Sequence, residues 1–146
     1  MKKFLNIYTI LYLLVGIFGT LVTVWFLPLN IGPLTVPPSS WLMGFSFLLI
    51  TLIQDHYGAK VSGKMIWILL FLTALLCISL NYTLMLVLAS GVAFVAGQYV
   101  TKGLYTFGVR RSLSSMIGSV VDVGIWVFLG LSPLGVNTVP WELYLQ

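Results

Sequence analysis

Ser115, Ser119, Asp122 and Trp126 lie three or four positions apart in the last long apolar run of this 146-residue chain. At helical period they share one face. A carboxylate offers two acceptor oxygens, able to take a pair of adjacent N–H donors or to balance a cation. Asp122 has no basic residue nearer along the chain than Arg111. It is also the midpoint of the run 113–131, about 13 Å from either end of a helix rising 1.5 Å per residue. A long basic side chain can reach out from such a depth, but a short carboxylate cannot. In a lipid-embedded helix a charge at the centre costs roughly 2.5–3.5 kcal/mol on insertion scales. Asp122 is therefore expected to face a polar interior, carry a proton or bind something.

Other runs carry similar stripes. One holds Gly91, Phe94, Gln98 and Thr101 with Gly97 adjacent, and another holds Gly44, Leu48, Thr51 and Asp55. The first run offers Thr9, Gly16, Thr20 and Thr23, and the third offers Thr73, Cys77 and Asn81. Small residues at this spacing let helices approach closely, and their hydroxyls bond across the contact. Plain helix packing accounts for most of them. The single histidine, His56, has no Cys or Glu neighbour, so no metal site is expected, and the lone Cys77 excludes an intrachain disulfide. No nucleophile elbow, zincin motif or P-loop is present, so neither an enzyme nor a resident cofactor is expected.

The elements that position these residues follow from composition. The chain is 60% hydrophobic and 7% charged, with a mean hydropathy of +1.08. A soluble domain carries about 25% charged residues, so the expectation is an all-α integral membrane protein. Spanning helices need about 20 mostly apolar residues. Five are predicted, over about 4–27, 40–57, 65–80, 82–101 and 113–131, in a single transmembrane domain covering 1–146. The first is too long for the apolar core of a secretion signal and is read as a span. "NYT" (Asn81 to Thr83) is the predicted turn between the third and fourth. Ser39 or Ser40 is a candidate cap for the second, behind the proline-punctuated loop 28–39, and Pro133 closes the fifth. Trp141 and Tyr144 suit an interfacial anchor.

All seven basic residues (Lys2, Lys3, Lys60, Lys64, Lys102, Arg110 and Arg111) fall before the first predicted span or in the gaps after the second and fourth. They share one side of such a bundle. The positive-inside rule then places the N-terminus in the cytoplasm and the C-terminus outside, in a multi-pass protein of the cytoplasmic (inner) membrane. The net charge of +4 thus reads as loops against anionic headgroups, with the lipid bilayer and not nucleic acid as partner.

Three segments resemble a known family. "FSFLLITLIQDHYGAKVSGK" (Phe45 to Lys64), "AGQ" (Ala96 to Gln98) and "SSMIGSVVDVGIWVF" (Ser114 to Phe128) are similar to helix motifs of the queuosine-precursor transporters, the VUT family. Ser114, Ser115, Gly118 and Asp122 fall on its fifth-helix pattern. Thr51 stands where the family usually has Asp, Asp55 where it has Glu, Ser119 for Asn and Val123 for Thr. The family tends to have a sixth helix, so a homodimer is the arrangement expected to supply the missing wall. The resemblance implies uptake of 7-cyano-7-deazaguanine or the related 7-aminomethyl base, a purine-like small molecule. Asp122 would then pair with the guanine-like N–H edge, Gln98 would read the carbonyl edge, and Trp126 or Phe94 would stack on the ring. Ser119, Ser115 and Thr51 complete the expected substrate site, with Asp55, paired to Lys60 or Lys64, and Tyr57 as candidate gate residues. Two other classes fit a buried carboxylate: a small proton-coupled multidrug-type exporter, and a non-transport structural or lysis protein.

Overall fold

The computed structural model describes residues 6–25, 29–31, 34–36, 39–80, 84–126 and 128–129. Among these described residues five α-helices run over α1 (Ile7–Trp25), α2 (Ser39–Tyr57), α3 (Ala59–Ser79), α4 (Leu84–Thr106) and α5 (Arg111–Trp126). Their number and order are as predicted. Two short strands, β1 (Leu29–Ile31) and β2 (Leu34–Val36), pair antiparallel between α1 and α2, Asn30 opposite Thr35. The prolines of this connection predict a loop over 28–39, and the strands lie within that stretch. Lys2, Lys3, the "NYT" turn, Pro133, Trp141 and Tyr144 lie outside the described residues.

The helix boundaries move for local reasons. Gly58 alone separates α2 from α3, at φ 83°, a left-handed conformation glycine adopts without penalty. With the turn confined to one residue, α3 starts at Ala59 and not at 65. Lys60 and Lys64 therefore sit on its first turns and not in a loop. Ser62 supports that start by donating to Ala59 O at 3.0 Å. α4 runs past Thr101 to Thr106, where Thr106 Oγ1 donates back to Lys102 O at 2.8 Å, and Gly108 (φ 86°) helps turn the chain into α5. Ser39 is already helical and buried.

α2 touches each of the other helices, and α4 packs most closely on α5. That last contact is made by glycines. A Cβ on Gly97 would lie 2.7 Å from Gly118 O, and one on Gly118 would lie 2.7 Å from Gly97 O. An apolar cluster of Tyr12, Leu49, Ile50, Ile53, Met65, Ile66 and Leu69 joins α1, α2 and α3. Around it the usual pattern is inverted. Thr9, Ser46, Thr51, Ser62, Gln98, Thr101 and Ser114 are buried, while Leu14, Phe18, Phe45, Phe71, Met116 and Val120 are exposed. Among the described residues α3 is long and apolar enough to cross a membrane, and Ile7–Val22 is a shorter apolar helix.

Candidate functional site

The basic end of the bundle is tied across helices. Tyr105 OH donates to Asp55 Oδ1 at 2.7 Å, and Arg111 forms an ion pair with Asp55 Oδ2. Gln54 Nε2 donates to Thr106 Oγ1 at 2.8 Å, and the Tyr8 ring meets His56 at 4.7 Å between centroids. These contacts gather the start of α1, the end of α2, the end of α4 and the start of α5. Asp55 was expected to pair with Lys60 or Lys64. Its partner is Arg111, because Lys60 and Lys64 ride on α3 while α5 begins beside the end of α2. Tyr57 packs against the apolar cluster and beside His56, and Tyr105 holds Asp55 in its place.

In the opposite half of the bundle lies a cavity of about 230 Å³. Each of the five helices contributes: Gly16 and Thr20 from α1, Ser39 and Met43 from α2, and Leu69, Thr73 and Cys77 from α3. Ser90 and Phe94 come from α4, and Ser119, Asp122 and Trp126 from α5. The lining reaches the first residue of α2 and the last of α5, so the cavity extends toward the end away from the basic residues. Its walls are mainly apolar, broken by hydroxyls and by one carboxylate. Among the described residues Asp122 makes no hydrogen bond or ion pair, and no cluster of His, Cys, Asp and Glu suits a metal ion.

Asp122, Ser119, Trp126 and Phe94 thus line one cavity. Gln98, Ser115 and Thr51 do not. Each sits about a turn or more nearer the basic end, in the contacts between helices. Gln98 is fully buried and donates from Nε2 to Ser46 Oγ at 3.0 Å, which closes α4 onto α2. Ser115 Oγ donates to Phe47 O at 3.2 Å, which closes α5 onto α2. Thr51 Oγ1 donates within its own helix to Leu48 O at 2.7 Å. Helical period had put Gln98 on the face of Phe94 and Ser115 on the face of Ser119. It could not say that the cavity ends between them.

Buried polar atoms continue along this three-helix seam. Gln98 Oε1, Thr101 Oγ1 and Gln54 Oε1 have no hydrogen-bond partner among the described residues. Together with the Asp55–Arg111–Tyr105 group they mark a polar line from the floor of the cavity to the basic end. The residues that sequence reasoning left out of the site are Thr20, Thr73, Ser90 and Cys77 in the cavity, with Tyr105 and Arg111 at the basic end. Thr20, Thr73 and Cys77 already stood on polar stripes. Nothing local marks Tyr105 or Arg111 as partners of Asp55, 50 and 56 positions away. Comparisons with known protein families, with curated proteins and with solved structures return no match to this chain.

Proposed function

We propose that this chain is a multi-pass protein of the cytoplasmic membrane that takes up a queuosine precursor, 7-cyano-7-deazaguanine or its 7-aminomethyl relative. The observation that carries the reading is Asp122, a carboxylate without a described partner in a partly open, mainly apolar cavity beside Trp126, Phe94 and Ser119. The packing supports the membrane environment: beyond the apolar cluster many large apolar side chains face outward, while small polar ones are buried between helices. A water-soluble monomer rarely shows contiguous apolar patches beyond a few hundred Å². The gathering of Lys60, Lys64, Lys102, Arg110 and Arg111 around one end supports that end as the cytoplasmic one.

On this reading the Asp122 oxygens accept the paired N–H donors of the guanine-like edge, a two-point contact whose geometry excludes bases lacking that edge. Trp126 or Phe94 stacks on the ring, a contact worth about 1–3 kcal/mol per base in single-strand systems. Ser119 and Ser90, both in the cavity lining, donate on this reading to a carbonyl oxygen, the role expected of Gln98. The polar seam is the route onward to the cytoplasm, closed by the Gln98–Ser46 and Asp55–Arg111 contacts.

The test is uptake in a host unable to synthesise the base, read as the modified base in its tRNA when either precursor is supplied. Wild-type chain should restore the modification, and Asp122→Asn should abolish it while remaining in the membrane after alkaline extraction. Restoration by Asp122→Asn at the wild-type level would remove the carboxylate from recognition. A second reading, a proton-coupled exporter of lipophilic cations, is favoured by the mainly apolar lining and by the absence of Gln98 from it. Protection of cells against cationic dyes, lost in Asp122→Asn, would select it.

A further inference from the structure

One face of α3 is graded along its length. Lys60, Lys64, Trp67, Phe71, Leu75 and Ile78 follow at steps of three or four, and all six are exposed. The face therefore begins with two ammonium groups, passes through an indole, and continues as bare hydrocarbon. α4 runs alongside with the same order. Lys102 and Tyr99 stand at the basic end, and Val92 and Leu88 are exposed further down.

At the basic end the two faces meet in a shallow pocket formed by Lys60, Gly63, Lys64, Trp67, Tyr99 and Lys102. Trp67 Nε1 donates to Tyr99 OH at 3.1 Å, which pins the two aromatic groups together across the helices. Lys102 Nζ lies 5.3 Å from the centre of the Tyr99 ring, and only 3.1 Å from where a Cβ on Gly63 would stand. The missing side chain at Gly63 lets the Lys102 ammonium sit against α3, on the same corner as Lys60 and Lys64. None of the three lysines has a carboxylate partner among the described residues. The chain holds three acidic residues, of which Asp55 is taken by Arg111, Asp122 faces the cavity, and Glu142 lies outside the described residues.

We propose that this corner binds the phosphate headgroup of an anionic phospholipid, whose acyl chains lie along the exposed faces of α3 and α4. The site rests on the membrane-embedded reading above, but not on any substrate. Three ammonium groups at the cytoplasmic level, without a carboxylate partner among the described residues, attract an anionic headgroup. The Trp67–Tyr99 pair occupies the depth at which amphipathic aromatics settle. The apolar stripe from Phe71 to Ile78 distinguishes a lipid from a free phosphate ion, which would leave that stripe without a role.

The experiment uses the full chain purified in neutral detergent and read by native mass spectrometry, with phosphatidylglycerol, phosphatidylcholine of matched chains, or inorganic phosphate. Phosphatidylglycerol should be retained on the order of tenfold more than phosphatidylcholine. Inorganic phosphate should neither bind detectably nor displace it. The combined Lys60→Gln, Lys64→Gln, Lys102→Gln variant should retain the two lipids equally. Equal retention by the wild-type chain, an undiminished preference in the variant, or displacement by inorganic phosphate would each overturn the site. Should the triple variant fail to fold, the wild-type preference measured at rising salt decides. Loss of the preference supports the site, because exposed ammonium groups are screened, and persistence overturns it. Alkaline extraction of membranes separates the two readings. Release of the chain would sink the membrane-embedded reading, whereas a retained chain without lipid preference would sink this site alone.

Discussion

Alanine at Gly118 tests the contact that sets the position of Asp122, one turn further along α5. A Cβ there overlaps Thr101 Oγ1 and falls 2.7 Å from Gly97 O. Thr101 can rotate its hydroxyl away, but Gly97 O belongs to the backbone of α4 and moves only with the helix. Ordinary contact begins at 3.4 Å, so α4 and α5 must part locally by about 0.7 Å. A gap of that size forfeits about a quarter to a half of the dispersion energy of the atoms on either side. Overpacking of this kind costs about 1–3 kcal/mol. For a chain of this size each kcal/mol is worth about 2–4 °C, giving a fall in Tm of roughly 2–12 °C. Gly124 on the same helix is the control, because nothing lies within 4 Å of its added Cβ. Gly124→Ala should hold or raise Tm, since alanine is favoured over glycine inside a helix by about 0.5–1 kcal/mol. Both variants are melted beside wild type in one detergent, followed by circular dichroism. If Gly118→Ala melts at or above wild type, or the two variants shift alike, the close α4–α5 approach is refuted.

Gln98→Leu should leave precursor binding intact and change stability by no more than about 1 kcal/mol. It deletes the bond to Ser46 but also removes the unpartnered Oε1. Loss of binding to the extent expected for Asp122→Asn would place Gln98 at the substrate after all. Arg111→Gln should cost only about 0–1 kcal/mol, because the Arg111 and Asp55 side chains are 38% and 34% exposed. That cost should shrink in high salt, and a salt-independent loss above about 2 kcal/mol would show the pair to be a buried lock.

The five helices were legible because their signal is local. Apolar runs long enough to make helices are interrupted by "NYT" and by the residues around Gly58 and Gly108. The face shared by Ser119, Asp122 and Trp126 was legible for the same reason, since helical period is a property of neighbouring residues. The start of α3 was not. A single glycine at φ 83° replaces the loop that Lys60 and Lys64 had been assigned to, and charge alone does not distinguish a loop from the first turns of a helix.

The sequence by itself determined the five helices found among the described residues, which residues share a face, and that a carboxylate lies deep within an apolar run. Tertiary structure alone decided depth and partnership. Period tells which side of a helix a residue occupies but not how far along it a cavity extends, so Phe94 lines the cavity while Gln98, one turn away, closes a seam. Asp55 pairs with Arg111 across 56 positions because the end of α2 and the start of α5 lie side by side, and no local rule encodes that meeting. The grouping of Lys60, Lys64 and Lys102 needs both levels. Helical spacing puts the first two on one face, and the space left open by Gly63 brings the third beside them.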